Sequence, residues 1–378
     1  MKKLVIATDN FEPRKDGIAR FLSKIIPSLK EHFDLKAIVP DFGKNEIDCE
    51  QIKIPLSNIK LSDFTLAKWK FKKIKEQIKK ADIVFIQTLG PIGLLSHRYA
   101  NKYNKKVVCY THNIDWDLLP NALQPVIGRY FLQVLAKFVV KRYFNKADLI
   151  LVPSNQIAEK LSYFNIKTKK ELLTLGVDSK LFKPLELRSE KELNTISKLK
   201  KEHNLEDKFV IGYHGRIAKE KDLQTITRAF LWLKKQMKNA VLLIVGSGDL
   251  AMESKLKSYE DVIIISSTDT PELYLNLFSV YVSASLTETT SLSTIEALAS
   301  SVPVVSTPAG LIPSYIKNKK NGLLFNFGNA FALYKHLKDL AENDALREKL
   351  RNNSRDSVIK NFDWNNTTKE LIKMLSSL

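Results

Sequence analysis

Short, mostly apolar runs recur along this chain, and most are followed by a loop and then a stretch of helical spacing. No other feature constrains the fold as strongly. In the first half the runs lie at 3–8, 35–39, 82–87, 106–110, 148–152 and 171–175. A run of four to six residues with little polar alternation marks a strand buried on both faces. Such strands, separated by helical segments, make a parallel, doubly wound α/β sheet. A charged, strand-free segment continues to about residue 207. The rhythm then restarts at 209–213, 240–245, 262–265, 280–284 and 302–306, with helices from about Asp222, Pro271 and Ser291. The expected organisation is therefore two Rossmann-like domains, 1–185 and 186–360, followed by an amphipathic helix over 361–378.

A chain of 378 residues is long enough for two such domains. It has no run of eighteen apolar residues, so no transmembrane helix is expected. The first apolar run is too short for a signal peptide and reads as a strand. Only two cysteines occur, Cys49 and Cys109, which argues against a disulfide framework and fits a reducing cytoplasm. The net charge is +19, and residues 1–185 carry +15 of it. That asymmetry fits an anionic partner for the first half: nucleic acid, a membrane surface or an acidic substrate. A solvated, lysine-rich surface is the plainer explanation.

Two segments of that half read as basic amphipathic helices. Over 64–80, Phe64, Ala67, Phe71, Ile74 and Ile78 form one stripe, and Lys68, Lys70, Lys72, Lys73, Lys75, Lys79 and Lys80 cover much of the rest. Over 123–143, Val126, Tyr130, Phe131, Val134, Leu135, Phe138 and Val139 accompany Arg129, Lys137, Lys141 and Arg142. Helices of this kind lie on anionic membranes, with Lys70, Lys72, Lys73, Arg129 and Lys137 as the contacts, or else pack on their own sheet.

The chemistry-bearing residues cluster after the strands. Gly215 and Arg216 follow one strand, and Glu220 and Lys221 precede a helix. A guanidinium fork and a point charge near a helix N-terminus suit a diphosphate. Gly246 and Gly248 follow the next strand, where glycine allows close approach of ligand or backbone. Asp16-Gly17 precedes the first helix, and His112 ends another strand, placed for a substrate hydroxyl or for proton transfer. Glu288 and Glu296 flank a small, hydroxyl-rich loop containing Thr289, Thr290, Ser291 and Leu292. Carboxylates accept hydrogen bonds from vicinal hydroxyls. Glu296 also completes an S-x-x-E capping box with Ser293.

Taken in order, Gly17, His112, Gly215-Arg216, Glu220-Lys221, Gly246-Ser247-Gly248, Glu288 with Glu296, and Pro303-Val304-Val305 resemble the retaining glycosyltransferases of the family-4, or group 1, type. The resemblance extends from Ile6 to the terminal helix. It implies the GT-B fold, two Rossmann-like domains facing a central cleft, with the terminal helix crossing back to the first. It implies a nucleotide-sugar donor held mainly by the second domain, an acceptor facing the first, and no metal or other cofactor. Arg216 and Lys221 would hold the diphosphate, Glu296 the ribose and Glu288 the transferred sugar. His112 would meet the sugar near its reacting carbon, Gly17 would let the loop approach the phosphate, and residues near Thr268 would read the base. The chain departs from the family pattern at Asp16, Ser291 and Ser301, each standing where glycine is usual, and by lacking a glutamate after Gly310.

The resulting expectation is a cytoplasmic hexosyltransferase, peripheral on the inner face of the membrane. It would use UDP-glucose or GDP-mannose and a lipid or glycan acceptor. Epimerase and polysaccharide-synthase chemistry are alternatives on the same fold. A basic nucleic-acid-binding protein is the alternative of another class, although no nucleic-acid-binding motif is present.

Overall fold

The computed structural model describes residues 1–14, 17–61, 64–112, 129–266 and 268–378. The chain divides into two compact units, Met1–Leu175 with Trp364–Leu378, and Gly176–Asp363. The sequence-expected segments at Asp16, Asn113, 123–128 and Ser267 lie outside the described residues, as does the side chain of Arg129.

The first unit is built on strands β1 (Lys3–Ala7), β2 (Asp34–Pro40), β3 (Glu50–Ile54), β4 (Leu56–Leu61), β5 (Phe64–Ala67), β6 (Ile83–Ile86), β7 (Lys106–Tyr110), β8 (Leu149–Val152) and β9 (Lys170–Leu172). Seven of them form a parallel sheet in the order β3-β2-β1-β6-β7-β8-β9. Ile6 pairs with Ala37 on one side and Phe85 on the other, so β1 is central, and it is apolar and buried from Leu4 to Ala7. The helix Gly17–His32 buries Phe21, Leu22, Ile25, Ile26 and Leu29, one stripe of helical period. The terminal helix Trp364–Ser376 belongs to this unit: Trp364 meets Phe21 at 6.1 Å between ring centroids, and Thr367 Oγ1 donates to the Thr174 carbonyl at 2.8 Å.

The helix expected over 64–80 is in fact a strand and a shorter helix. Phe64–Ala67 pairs antiparallel with β4, and the helix runs only over Phe71–Lys80. Phe64 and Thr65 favour extended backbone, and the hairpin gives it a partner. Of the expected stripe, Ile74 and Ile78 are fully buried, whereas Phe71 is 51 % exposed. Edge strand β3 escaped the sequence reading because its charged and apolar residues alternate.

The second unit contains β10 (Phe209–His214), β11 (Ala240–Val245), β12 (Val262–Ile265), β13 (Val280–Ser283), β14 (Val304–Ser306) and β15 (Leu323–Leu324). They form a parallel sheet in the order β12-β11-β10-β13-β14-β15. Leu223–Gln236 covers one face through Ile226, Ala229, Phe230 and Leu233. Leu292–Ala299 covers the other through Ile295 and Leu298. Residues 176–185 pack with this unit rather than the first, since Val177 and Phe182 lie in its core. The charged segment beyond them holds the helix Glu190–Glu202. Arg188 anchors that helix, its side chain fully buried against Glu192 and Asn276 at 2.8 Å each. Hydrogen bonds from the Ser189 backbone N–H and from Arg188 push the Glu192 carboxyl down to about 2.

Leu292–Ala299 ends in a Schellman turn. The Ser301 N–H donates to the Leu298 carbonyl and the Val302 N–H to the Ala297 carbonyl, both at 3.0 Å. Ser301 has φ 56°, the left-handed conformation that only glycine adopts without a Cβ penalty. Ser301→Gly should stabilise this unit by about 0.5–1 kcal/mol. Ser301→Val should destabilise it by about 1–2 kcal/mol. Thermal unfolding checks the pair: Tm should rise for the first and fall for the second, and the reverse order would contradict the strain at this turn.

Candidate functional site

The order of strands in the second unit reverses direction between β10 and β13. The loops that leave these neighbours therefore diverge to opposite faces, and a ligand crevice opens at their carboxyl ends. After β10 come Gly215 and Arg216, a single turn over Lys219–Lys221, and Asp222, which caps the helix Leu223–Gln236 by accepting from the Thr225 N–H. After β13 come Ser285, Leu286 and Glu288. The Leu286 N–H donates to the Glu220 carbonyl at 2.8 Å, joining the two loops by their backbones. Beside that clasp Lys221 Nζ meets Glu288 Oε1 at 2.6 Å, and Ser285 Oγ donates to the same oxygen at 2.8 Å. The Lys221 and Glu288 side chains are 19 % and 12 % exposed, so the pair is mostly withdrawn from water yet within reach of a ligand. Arg216 is half-exposed and pairs with Glu220. The structure thus places Arg216, Lys221 and Glu288 on two touching loops, although 72 residues of sequence separate the first from the last.

Three glycines have structural reasons. A Cβ on Gly246 would lie 1.9 Å from the Gly215 carbonyl oxygen, so the loop after β11 can lie against the loop after β10 only with glycine there. Gly248 continues the same contact, bridging in parallel to Ile217. Gly310 has φ 54°, and a Cβ there would lie 2.3 Å from the Glu288 carbonyl oxygen. It lets the Leu311 N–H reach the Thr289 carbonyl at 2.9 Å.

The hydroxyl-rich loop is pinned by its carbonyls. The Tyr315 hydroxyl donates to the Thr290 carbonyl at 2.9 Å. The helix begins at Leu292, and its cap is Ser291, held at φ 58° with no side-chain capping bond. Ser291 occupies the left-handed conformation that explains why glycine is usual there, and its Oγ lies 2.8 Å from Thr294 Oγ1. The capping-box alternative for Glu296 is therefore excluded: Ser293 lies inside the helix. Glu296 is its fifth residue, 3 % exposed, and faces His214 with 3.4 Å between Oε2 and the imidazole Nδ1. Thr268, beyond β12, accepts the Thr270 N–H at 3.1 Å and lies in an exposed turn.

In the first unit Gly17 opens its helix with open space around the position of a Cβ. His112 follows β7. Its Nε2 donates to Oε1 of Gln87, the residue after β6, at 2.9 Å, and its ring meets the edge of Tyr110 at 4.4 Å. Burial pushes the imidazole down to about 3, so it is neutral at physiological pH. Lys70 and Lys72 are exposed beside Trp69 and Phe71, while Lys73 Nζ is engaged with the Lys53 carbonyl at 2.7 Å. Lys137 lies 5.2 Å above the Phe164 ring.

Sequence reasoning missed His214, Gln87 and Ser285. His214 ends a buried strand, the position that drew attention to His112, and was passed over because Gly215 and Arg216 follow it. The roles of Gln87 and Ser285 come from partners distant in sequence and carry no local signal.

With this geometry in hand, comparison with known proteins is direct. A family model for glycosyltransferase family 4 matches residues 16–181, and one for glycosyl transferases group 1 matches residues 195–357. Together they account for most of the chain, which belongs to the group 1 glycosyltransferases and is a sugar-transferring enzyme. The chain is 26 % identical over 331 residues to the alpha-monoglucosyldiacylglycerol synthase of Acholeplasma laidlawii, covering 84 % of this chain and 81 % of that protein. It is 26 % identical to a Campylobacter jejuni N-acetylgalactosamine-N,N'-diacetylbacillosaminyl-diphospho-undecaprenol 4-alpha-N-acetylgalactosaminyltransferase, covering 95 % and 96 % of the two chains. Among solved structures, Anabaena Alr3699/HepE in complex with UDP and glucose superimposes with a TM-score of 0.78 at 15 % identity, over all of both chains. That likeness shows the fold, the GT-B class.

His112 makes the first unit acid-sensitive. An unfolded histidine has a pKa near 6.5, so between about 3 and about 6.5 the unfolded chain binds the extra proton and the folded one does not. Stability is full above that window and falls as pH drops through it. His97, which burial holds near 4, acts in the same direction. Tm measured from pH 7.5 to 4.5 should decline, and His112→Asn should flatten the decline in part; an unchanged slope would contradict a neutral, buried His112.

Proposed function

We propose that this glycosyltransferase is a retaining, metal-independent hexosyltransferase that takes its sugar from a nucleotide sugar, UDP-glucose or GDP-mannose, and passes it to a lipid acceptor at the membrane surface. The observation that carries the reading is the Lys221–Glu288 pair on two clasped loops, with Arg216 half-exposed beside it.

In this reading Arg216 and Lys221 hold the donor diphosphate. They supply the positive charge that a leaving phosphate needs as the bond from the anomeric carbon to its oxygen lengthens. Glu288 accepts hydrogen bonds from hydroxyls of the sugar, and Glu296 from those of the ribose. The acceptor oxygen bonds to the anomeric carbon on the face that the phosphate leaves, and its proton passes to the departing phosphate oxygen. Neither carboxylate then has to act as the base. His112, neutral and fixed by Gln87, is a hydrogen-bonding group for a substrate hydroxyl rather than a proton carrier. Transfer rates should fall about 10²–10³-fold for Arg216→Ala and for Lys221→Ala, and substantially for Glu288→Ala. Unchanged rates in all three would overturn the site.

The lipid acceptor is supported by the surface of the first unit. Trp69 and Phe71 are each 51 % exposed and stack at 6.2 Å. Lys68, Lys70, Lys72 and Lys75 are exposed around them. On the helix Arg129–Phe144, Phe138 is 63 % exposed next to Lys137 and Lys141. Half-exposed aromatics in a lysine field suit the interface of an anionic bilayer. Among the described residues no helix is long and apolar enough to cross a membrane. Flotation should recover the protein with anionic but not neutral liposomes, and replacing Lys70 and Lys72 by Glu should weaken recovery several-fold. Recovery indifferent to lipid charge would favour a glycan acceptor away from the membrane.

A further inference from the structure

We propose that His214 is a positioning residue for the nucleotide end of the donor, acting through Glu296. The inference rests on the reading of Glu296 as the carboxylate that holds the ribose hydroxyls.

His214 is the last residue of β10, and its register against Val245 of β11 fixes where its side chain leaves the sheet. The same loop that presents Gly215 and Arg216 therefore presents the imidazole. Its Nδ1 lies 3.4 Å from Glu296 Oε2, and the two side chains are 11 % and 4 % exposed. Nδ1 is buried and has no hydrogen-bond partner among the described residues. A separation of 3.4 Å without alignment is just short of a hydrogen bond. A small rotation of either side chain closes it, with the imidazole in its Nδ1–H form.

A buried carboxylate needs hydrogen bonds to compensate its lost hydration. It has two oxygens and about four acceptor positions. With His214 donating to one oxygen, the other is turned and held for a pair of vicinal hydroxyls. An apolar side chain at 214 would take the imidazole donor away from that oxygen. The effect belongs to binding, because the ribose is remote from the bond that breaks, so affinity and KM should change while kcat does not.

The test uses the full chain, with UDP and GDP as calorimetric probes, followed by donor kinetics with the sugar nucleotide of whichever base binds. His214→Val should weaken nucleotide affinity about tenfold and raise donor KM by the same factor, with kcat within about twofold of wild type. His214→Asn, which keeps a donor near the place of Nδ1, should restore most of the affinity. In the Glu296→Ala background, His214→Val should cost nothing further, because the group through which it acts is gone. If Glu296→Ala itself leaves affinity unchanged, or if wild type binds neither nucleotide, the ribose reading fails and the inference falls with it. If Glu296→Ala weakens binding and His214→Val does not, the inference alone falls. If Val and Asn lower kcat and Tm equally, His214 is only a packing residue and the proposal is wrong.

Discussion

The contact on which the site depends is the backbone hydrogen bond from the Leu286 N–H to the Glu220 carbonyl, 2.8 Å long. It closes the mouth between β10 and β13, two strands that are neighbours in the sheet although their last residues, His214 and Ser283, are 69 positions apart in the sequence. At the reversal in strand order one loop turns to each face, and without a tie their tips would part. The tie brings Lys221 and Glu288 to 2.6 Å, where each offsets the burial cost of the other. The glycines act toward the same end. Gly246 admits the loop after β11 against Gly215, and Gly310 admits the turn after β14 against Glu288 and Thr289. Four connections, those after β10, β11, β13 and β14, are thus braced on one another by backbone contacts.

Much of the fold was legible in the sequence because it depends on buried parallel strands. Ile83–Ile86, Leu149–Val152 and Ala240–Val245 are continuous apolar runs, and a strand covered on both faces has no polar side to confuse the pattern. The edge strands β3 and β15 were not legible. Glu50–Ile54 alternates charged and apolar residues, and Leu323–Leu324 is too short to carry a pattern. The helix drawn through Phe64 failed because a spacing of three and four fits an apolar stripe whether or not the backbone is helical, and the antiparallel partner that decides the matter is Leu56–Leu61. The change of unit at Gly176 was placed too late for a similar reason: Val177 and Phe182 look like any loop apolars until the core they enter is known.

Within the site, residue types were legible and distances were not. A lysine before a helix and a glutamate before another helix are each ordinary; their ion pair follows only from strand order. The capping box at Ser293 looked as good as any, and was displaced because Ser291 takes a left-handed conformation and starts the helix earlier. Ser291 and Ser301 make the same point at the two ends of one helix. Both stand where the resembling family has glycine, and both keep the glycine backbone, at φ 58° and 56°. At both ends the path of the loop demands a left-handed residue, and serine meets that demand at the cost of Cβ strain.

The resting partner of Lys221 also bears on how a donor would enter. A lysine buried alone would lose hydration with nothing to offset it, and Glu288 supplies that offset. In the proposed reading, a diphosphate would offer the ammonium a second anion, and a sugar hydroxyl would offer Glu288 a donor in exchange. Each member of the pair would then gain a ligand partner as the other is shared, so that neither charge would be left bare during binding. Ser285, which donates to the same carboxylate oxygen at 2.8 Å, keeps that oxygen hydrogen-bonded throughout. Arg216 differs in lying at the exposed rim, where it pairs with Glu220. A surface pair of this kind is worth little, which leaves the guanidinium inexpensive to redirect toward phosphate. The two loops thus combine one half-buried, ion-paired cation with one exposed cation, an arrangement suited to a substrate whose charge must be met first at long range and then held in place.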